Sequence, residues 1–236
     1  MKFRNSMLVL AATLGTSALL ANPAAAQEIE NIGNQGQFVI GAERITGLFF
    51  DKIKVTPDGA DDDQTTSVTR IALLGSDGSG SPSSIPRLGF DYLVTDGLSV
   101  GGSLFVLRGS AEFDNGQDST DQGSQTAIYI NPRVGYAYAF DDTFAIWPRG
   151  GIAFTSFSGD NGDVNDSETS GNSLQLTVEG NLVISPFEHF AFLVGPFLDL
   201  GLSGSSETES DGATAEEDQK FTSYGITAGI AGYFGE

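Results

Sequence analysis

The sequence predicts an all-β fold: an eight-stranded antiparallel up-and-down transmembrane β-barrel with short periplasmic turns and long acidic extracellular loops. Three observations carry this. Apolar residues alternate with small or polar ones over segments of ten or more residues, the period of a strand whose two faces meet different surroundings. Tight turns alternate strictly with long polar connections. After the first 26 residues, charged and polar residues interrupt every apolar stretch well before the ~20 residues that a spanning helix needs.

The chain opens as a secretory signal. Lys2 and Arg4 supply a positive start, Met7 to Leu20 an uncharged apolar run, and Ala24-Ala25-Ala26 the small residues of a cleavage site. Residues 1–26 are therefore expected to be removed, leaving 27–236 as one barrel domain in the cell outer membrane. No Cys follows the cut, which excludes a lipid-modified anchor there.

Strand one is expected over 37–50, running outward. A long connection over 51–84 leads to strand two at 85–95, which runs inward to the Asp96-Gly97 turn, a two-residue hairpin signal. Strand three covers 98–112. In 128–140, Ile128, Ile130, Pro132, Val134, Tyr136, Tyr138 and Phe140 share one face, with Tyr129, Asn131, Arg133, Gly135, Ala137 and Ala139 on the other. Asp141-Asp142 turns the chain into strand five, where Phe144, Ile146, Ile152 and Phe154 oppose Ala145, Trp147, Arg149 and Ala153. The same pattern recurs in 174–186, in 190–202 after the turn Phe187-Glu188-His189, and in 222–234. The long connections fall at about 113–125, 158–172 and 203–220. The segment 66–74 has strand character too. Counting it as a crossing would give nine strands and put a tight turn on the wrong side, so it is expected as an extension or fold within the first loop. Ten strands would require a further hidden crossing.

A soluble β-sandwich also alternates, but its strands usually run about 5–6 residues, whereas tilted membrane strands need roughly 9–11. The aromatic residues are expected to sort into two belts. Tyr92, Tyr138, Phe140, Phe144, Phe187, Phe190, Phe192 and Phe234 lie near the tight turns or the C-terminus. Phe49, Phe50, Phe154, Phe157, Phe221 and Tyr224 lie near the long connections.

On these features the chain resembles the OmpA/OmpX-like outer-membrane β-barrel superfamily, in pattern over most of the mature chain and in motif at the last strand. Thr227-Ala228-Gly229-Ile230-Ala231-Gly232-Tyr233-Phe234 fits the family's C-terminal assembly signal, with Gly232 in place of a bulky residue and Gly235-Glu236 after the usual terminal aromatic. The resemblance implies Thr227, Gly229, Tyr233 and Phe234 as residues read by the barrel-assembly machinery, and outer-membrane lipid and lipopolysaccharide as surroundings. It names no activity.

Charge narrows the function. The chain carries 31 acidic and 11 basic residues, and loss of the two bases in the first 26 residues takes the net charge from −20 to −22. That excludes nucleic-acid binding through a basic footprint. Nineteen of the 31 acids fall in the four proposed outer connections. Runs such as Asp61-Asp62-Asp63 and Glu216-Glu217-Asp218 are candidates for divalent cations. Asp160, Asp163 and Asp166 lack the residue order of a calcium loop, and the plainer reading of all these acids is a solvated, repulsive surface. No metal or other cofactor is expected.

A second set of charges falls on the small, polar faces: Glu43, Arg87, Asp91, Arg133, Arg149, Glu179 and Asp199. Charges buried there are costly unless paired, so they are expected to form a network that plugs the barrel. The one histidine, His189, falls in a tight turn at the periplasmic rim, and no Ser/His/Asp set can be assembled near the long loops. The chain is expected to be no enzyme. Two readings follow: a structural or surface-interaction barrel with a plugged interior, or a small, low-conductance channel for small solutes.

Overall fold

A computed structural model describes residues 31–57, 64–73, 82–114, 119–160, 162, 167–210 and 213–235. The proposed signal segment 1–26, the run Asp61-Asp62-Asp63, and Asp163 and Asp166 lie outside these residues. The described chain is built from β1 (Phe38–Pro57), β2 (Gln64–Leu73), β3 (Arg87–Leu93), β4 (Leu98–Asp114), β5 (Ser119–Tyr136), β6 (Tyr138–Ala139), β7 (Phe144–Asp160), β8 (Ser167–Phe187), β9 (Phe190–Ser210) and β10 (Ala213–Phe234). A short 3-10 turn, Pro82–Ser84, precedes β3.

Every neighbouring pair is antiparallel, and the sheet closes on itself because β10 pairs with β1 from Phe38↔Phe234 upward. The ring is β1, β3, β4, β5, β7, β8, β9, β10: eight strands. The fragment β6 continues β5 beyond Ala137 and keeps pairing with β7. Closure pairs every strand of the ring up to Leu88↔Leu104, the condition for a backbone to cross lipid with its polar groups satisfied; further out, among the described residues, β2 pairs with β1 alone and β4 beyond Leu104 pairs with β5 alone.

The segment expected as a loop extension is β2. It pairs with the outer part of β1, Thr46↔Leu73 to Val55↔Gln64, while β3 pairs with the inner part, Phe38↔Tyr92 to Glu43↔Arg87. β2 thus stands above β3 in the same column. Between the two, the turn Pro82–Ser84 brings buried Ser83 and Ser84 into the lumen, where the Ser83 carbonyl accepts from Arg44 at 2.7 Å.

The outer connections are more regular than expected. The strands β4, β5, β7, β8, β9 and β10 run 17 to 22 residues, longer than a bilayer requires. Much of 113–125, 158–172 and 203–220 is therefore paired hairpin arm, as at Glu168↔Glu209 and Glu216↔Glu207. The tight turns fall as expected at 94–97, 140–143 and 188–189, the last with His189 at φ 63°.

Burial alternates along the strands, as in β3, where every second residue is buried. Outward positions hold exposed Val, Leu, Ile and aromatic side chains, the apolar band of a membrane barrel. The belt at the tight-turn end stands, with Tyr92, Tyr138, Phe140, Phe144, Phe187, Phe192 and Phe234 exposed. The outer belt needs correction. Phe50, Phe154 and Tyr224 lie on the outward face, and Phe50 stacks on Tyr224. Phe49 is buried inside against Phe197, at 5.5 Å between ring centres, and Phe157 and Phe221 line an internal cavity.

Inside, the lumen is layered. At the tight-turn end an apolar cluster contains Leu93, Trp147, Val183, Leu193 and Tyr233. The segment 31–37 folds into it as a cork. Ile32 joins the cluster, and Gly36 and Gln37 exchange backbone bonds with Leu93 at 2.9 Å each. The Gly97 backbone amide donates to the Gly33 carbonyl at 2.8 Å, and the Asn31 side-chain Nδ2 donates to the Asp141 carbonyl at 2.9 Å. Above the cluster lies the charge layer. Above that come the aromatic pairs Phe49–Phe197 and Phe105–Tyr129.

Candidate functional site

All seven charged residues singled out in the sequence point into the lumen and meet there. The structure adds an eighth, Arg44. None of the eight is more than 6% exposed.

Two glutamates are the hubs. Glu43 accepts from Arg133 Nη1 at 2.8 Å, from Arg133 Nη2 at 2.7 Å and from Arg149 Nη1 at 2.6 Å, with Arg87 Nε at 3.5 Å. Glu179 accepts from Arg44 Nη2 at 2.8 Å, from Arg149 Nη2 at 2.7 Å and from Arg87 Nη2. The aspartates stand at the flanks. Asp199 takes both ends of the Arg44 guanidinium, at 2.6 and 3.1 Å. Asp91 takes Arg133 Nε at 3.1 Å and a second bond from its Nη2. Planar guanidinium forks suit this multidentate pairing.

Neighbouring groups take part of what the carboxylates leave, although Arg44 Nε and Arg87 Nε stay without a hydrogen bond among the described residues. Arg87 donates to the Tyr129 hydroxyl and Arg44 to the Ser83 carbonyl. Arg44 also lies over the Phe197 ring at 4.1 Å and Arg149 over Trp147 at 4.5 Å, placing cations on aromatic faces. Small residues give the arginines room. A Cβ at Gly89 would sit 2.5 Å from Glu43 Oε1 and 3.0 Å from Arg133 Nη2, so the Glu43–Arg133 pair fills the space a side chain there would take.

Arg44 is the residue that sequence reasoning missed. Strict alternation puts Glu43 inside and Arg44 on the lipid side. In the structure Ala42↔Ile230 is followed by Thr46↔Ala228, so Glu43, Arg44 and Ile45 face the single residue Gly229. This bulge, with Arg44 at φ 53°, turns both charges inward. The signal was present as an imbalance: seven residues give three bases against four acids. Arg44 makes it four against four.

The other sequence candidates are dispersed. Of the assembly-signal residues, Tyr233 is buried in the cluster at the tight-turn end, Phe234 faces outward, and Thr227 and Gly229 face inward beside the charge layer. His189 pairs with Glu188 at 3.3 Å and stacks near Phe234. At the outer end, Asp160 accepts from the Ser124 hydroxyl at 2.6 Å and from the Gly162 amide at 3.1 Å. The Ser124 hydroxyl bond is the main cause that holds its carboxyl below the usual range. Among the described residues, no group of three or more His, Cys, Asp or Glu is arranged to hold a metal ion.

No family model matches the sequence, and no curated protein does. Among solved structures, the chain is similar to the outer membrane protein OprG from Pseudomonas aeruginosa, with a TM-score of 0.53 and 14% identity over 86% of this chain and 98% of that one. It also aligns with Ail, the attachment invasion locus protein of Yersinia pestis, at TM-score 0.36 and 13% identity over 84% of this chain and 99% of that one. The N-terminal β-barrel domain of Pseudomonas aeruginosa OprF aligns at TM-score 0.30 and 9% identity over 81% of this chain and 98% of that one. With its closed ring of eight antiparallel strands, the chain has the fold of the outer-membrane β-barrel proteins of the OmpA/OmpX-like type.

Proposed function

We propose that the chain is exported and inserted in the outer membrane as a non-enzymatic barrel that stabilises the envelope and presents its outer hairpins, with its lumen closed. Lipid and lipopolysaccharide are its surroundings, and the barrel-assembly machinery reads its last strand. The observation that supports the closed lumen is the charge layer: four arginines and four carboxylates, all buried and mutually paired. An aqueous pore has no need of such matching, since water solvates an unpaired charge. An eight-stranded barrel is just wide enough for side chains to fill.

Planar-bilayer recording of the refolded barrel tests this. The expected result is no steady current across a range of voltages. A stable single-channel conductance, retained after removal of protein aggregates, would replace this reading with that of a narrow channel for small solutes.

A further inference from the structure

Above the charge layer the lumen holds a cavity of about 360 Å3, within the size range of small-molecule sites. We propose that it binds a small neutral molecule with a flat apolar body and one hydrogen-bonding group, taken from the extracellular side.

The register defines its walls. Phe105, Tyr129, Thr155 and Ser173 are successive partners across β4, β5, β7 and β8. One inward step higher, Leu107, Ala127 and Phe157 are partners in the same way. Phe105, Leu107, Ala127 and Phe157, with Phe221 of β10, form its apolar part, and Gln125, Asp160 and Thr169 stand on its polar side.

At its lower end one lining polar group is unsatisfied. Thr155 lines the cavity and is buried, and its hydroxyl has no hydrogen-bond partner among the described residues. Ser173, directly opposite on β8, is in the same state. So is Gln175, one inward step below, whose carboxamide nitrogen and oxygen both lack a partner. Buried polar groups are normally paired, and each exception calls for an explanation. Of the three, Thr155 alone lines the cavity, and its hydroxyl is the group that a ligand's polar end would satisfy.

Charge selects the ligand. The layer below is matched four to four, so an incoming ion finds no free counter-charge. At its outer end the cavity adjoins a cleft of about 240 Å3, with which it shares Ser124, Ser158, Gly159, Asp160 and Thr169. Asp160, in the wall of both, repels anions. A cation drawn to it would lose its water among Phe and Leu side chains. The charge layer makes the cavity a blind one, but binding depends only on its walls, so this proposal and the closed lumen fail separately: conductance reads one and binding the other.

The probes are indole and its hydrocarbon analogue indene, titrated into the barrel in lipid nanodiscs while methyl resonances of Leu107 and Ala127 are followed. Indole is expected to give saturable shifts, with indene binding about five- to tenfold more weakly for want of one hydrogen bond. Thr155→Val should bring indole down to the level of indene. Ala127→Trp, or Leu107→Phe if that barrel does not fold as judged by heat-modifiable migration, should reduce binding of both. Shifts that rise without saturation for both probes would mean partition into lipid and overturn the proposal. Equal affinities, or indole binding untouched by Thr155→Val, would overturn it as well.

Discussion

Arg44 shows how much one side chain decides. Asp199 draws its hydrogen-bonded ion pair from Arg44 alone among the described residues, whereas Glu179 is also held by Arg87 and Arg149. Removing Arg44 therefore leaves one buried carboxylate stranded, and breaking a buried pair in this way costs about 3–5 kcal/mol. Arg44→Ala should lose roughly that much stability in guanidinium unfolding of the refolded barrel. Adding Asp199→Asn should recover most of the loss, because it neutralises the orphaned charge. Additive losses in the double variant would show that the two groups do not act as a pair. The interior half of this arrangement was legible from alternation: Glu43, Arg87, Asp91, Arg133, Arg149, Glu179 and Asp199 all fall on the small-residue face. Arg44 was not, because a bulge adds residues to one strand without any turn residue to announce it. By contrast, the inward course of Phe49 and Phe157 was legible and overlooked. Carried past the membrane band, period two already places them with Glu43 and Arg149.

The bulge in β1 has its counterpart in β10. A Cβ on Gly229 would meet the Ala42 carbonyl at 2.5 Å and Glu43 Cα at 3.0 Å, both backbone atoms that cannot swing aside. Gly229 is thus required by the contact between the first and last strands, whatever else reads it. Gly232, in the same strand and the same motif, would bring a Cβ only against the Phe234 ring at 3.2 Å, a side chain able to give. Gly229→Ala is expected to slow refolding into detergent or lipid without any assembly factor, and to lower the temperature at which the folded band is lost on a gel. Gly232→Ala should leave both close to wild type. If Gly229→Ala refolds normally in vitro and fails only in cells, the residue serves recognition by the assembly machinery and not the bulge. The strand pairing itself was readable from turn spacing, since hairpins with a tight end and a long end allow one order of neighbours. What spacing could not reveal is that β2 takes the column above β3. Both segments alternate in the same way, and the turn Pro82–Ser84 before β3 enters the lumen without a hydrophobic pattern of its own.

In the closed-lumen reading proposed above, the barrel is sealed twice in series. The cork, residues 31–37, joins the end of β3 and the tight turns through Gly36, Gly33 and Asn31 and adds Ile32 to an apolar cluster around Trp147 and Leu193. The charge layer lies above it, tied across β1, β3, β5, β7, β8 and β9 by the eight paired side chains. The two layers use different physics. Apolar packing excludes water whatever the ionic state of the lumen, while the ion-paired layer excludes it only as long as its members stay matched. Removing the cork alone, by replacing 31–37 with a Gly/Ser stretch, should therefore leave conductance near baseline, because the charges above remain paired. Glu179→Ala alone strands positive charge and admits water locally, but the apolar cluster below still blocks passage. Only the two changes together should yield a steady current, and the excess of arginine in that lumen should make it favour anions. The measurement is single-channel recording of the wild type, the two single variants and the double variant, each shown to be folded by heat-modifiable migration. A steady current from the cork variant alone would mean that the charge layer is not a seal, and that the lumen above residue 37 is already a water path.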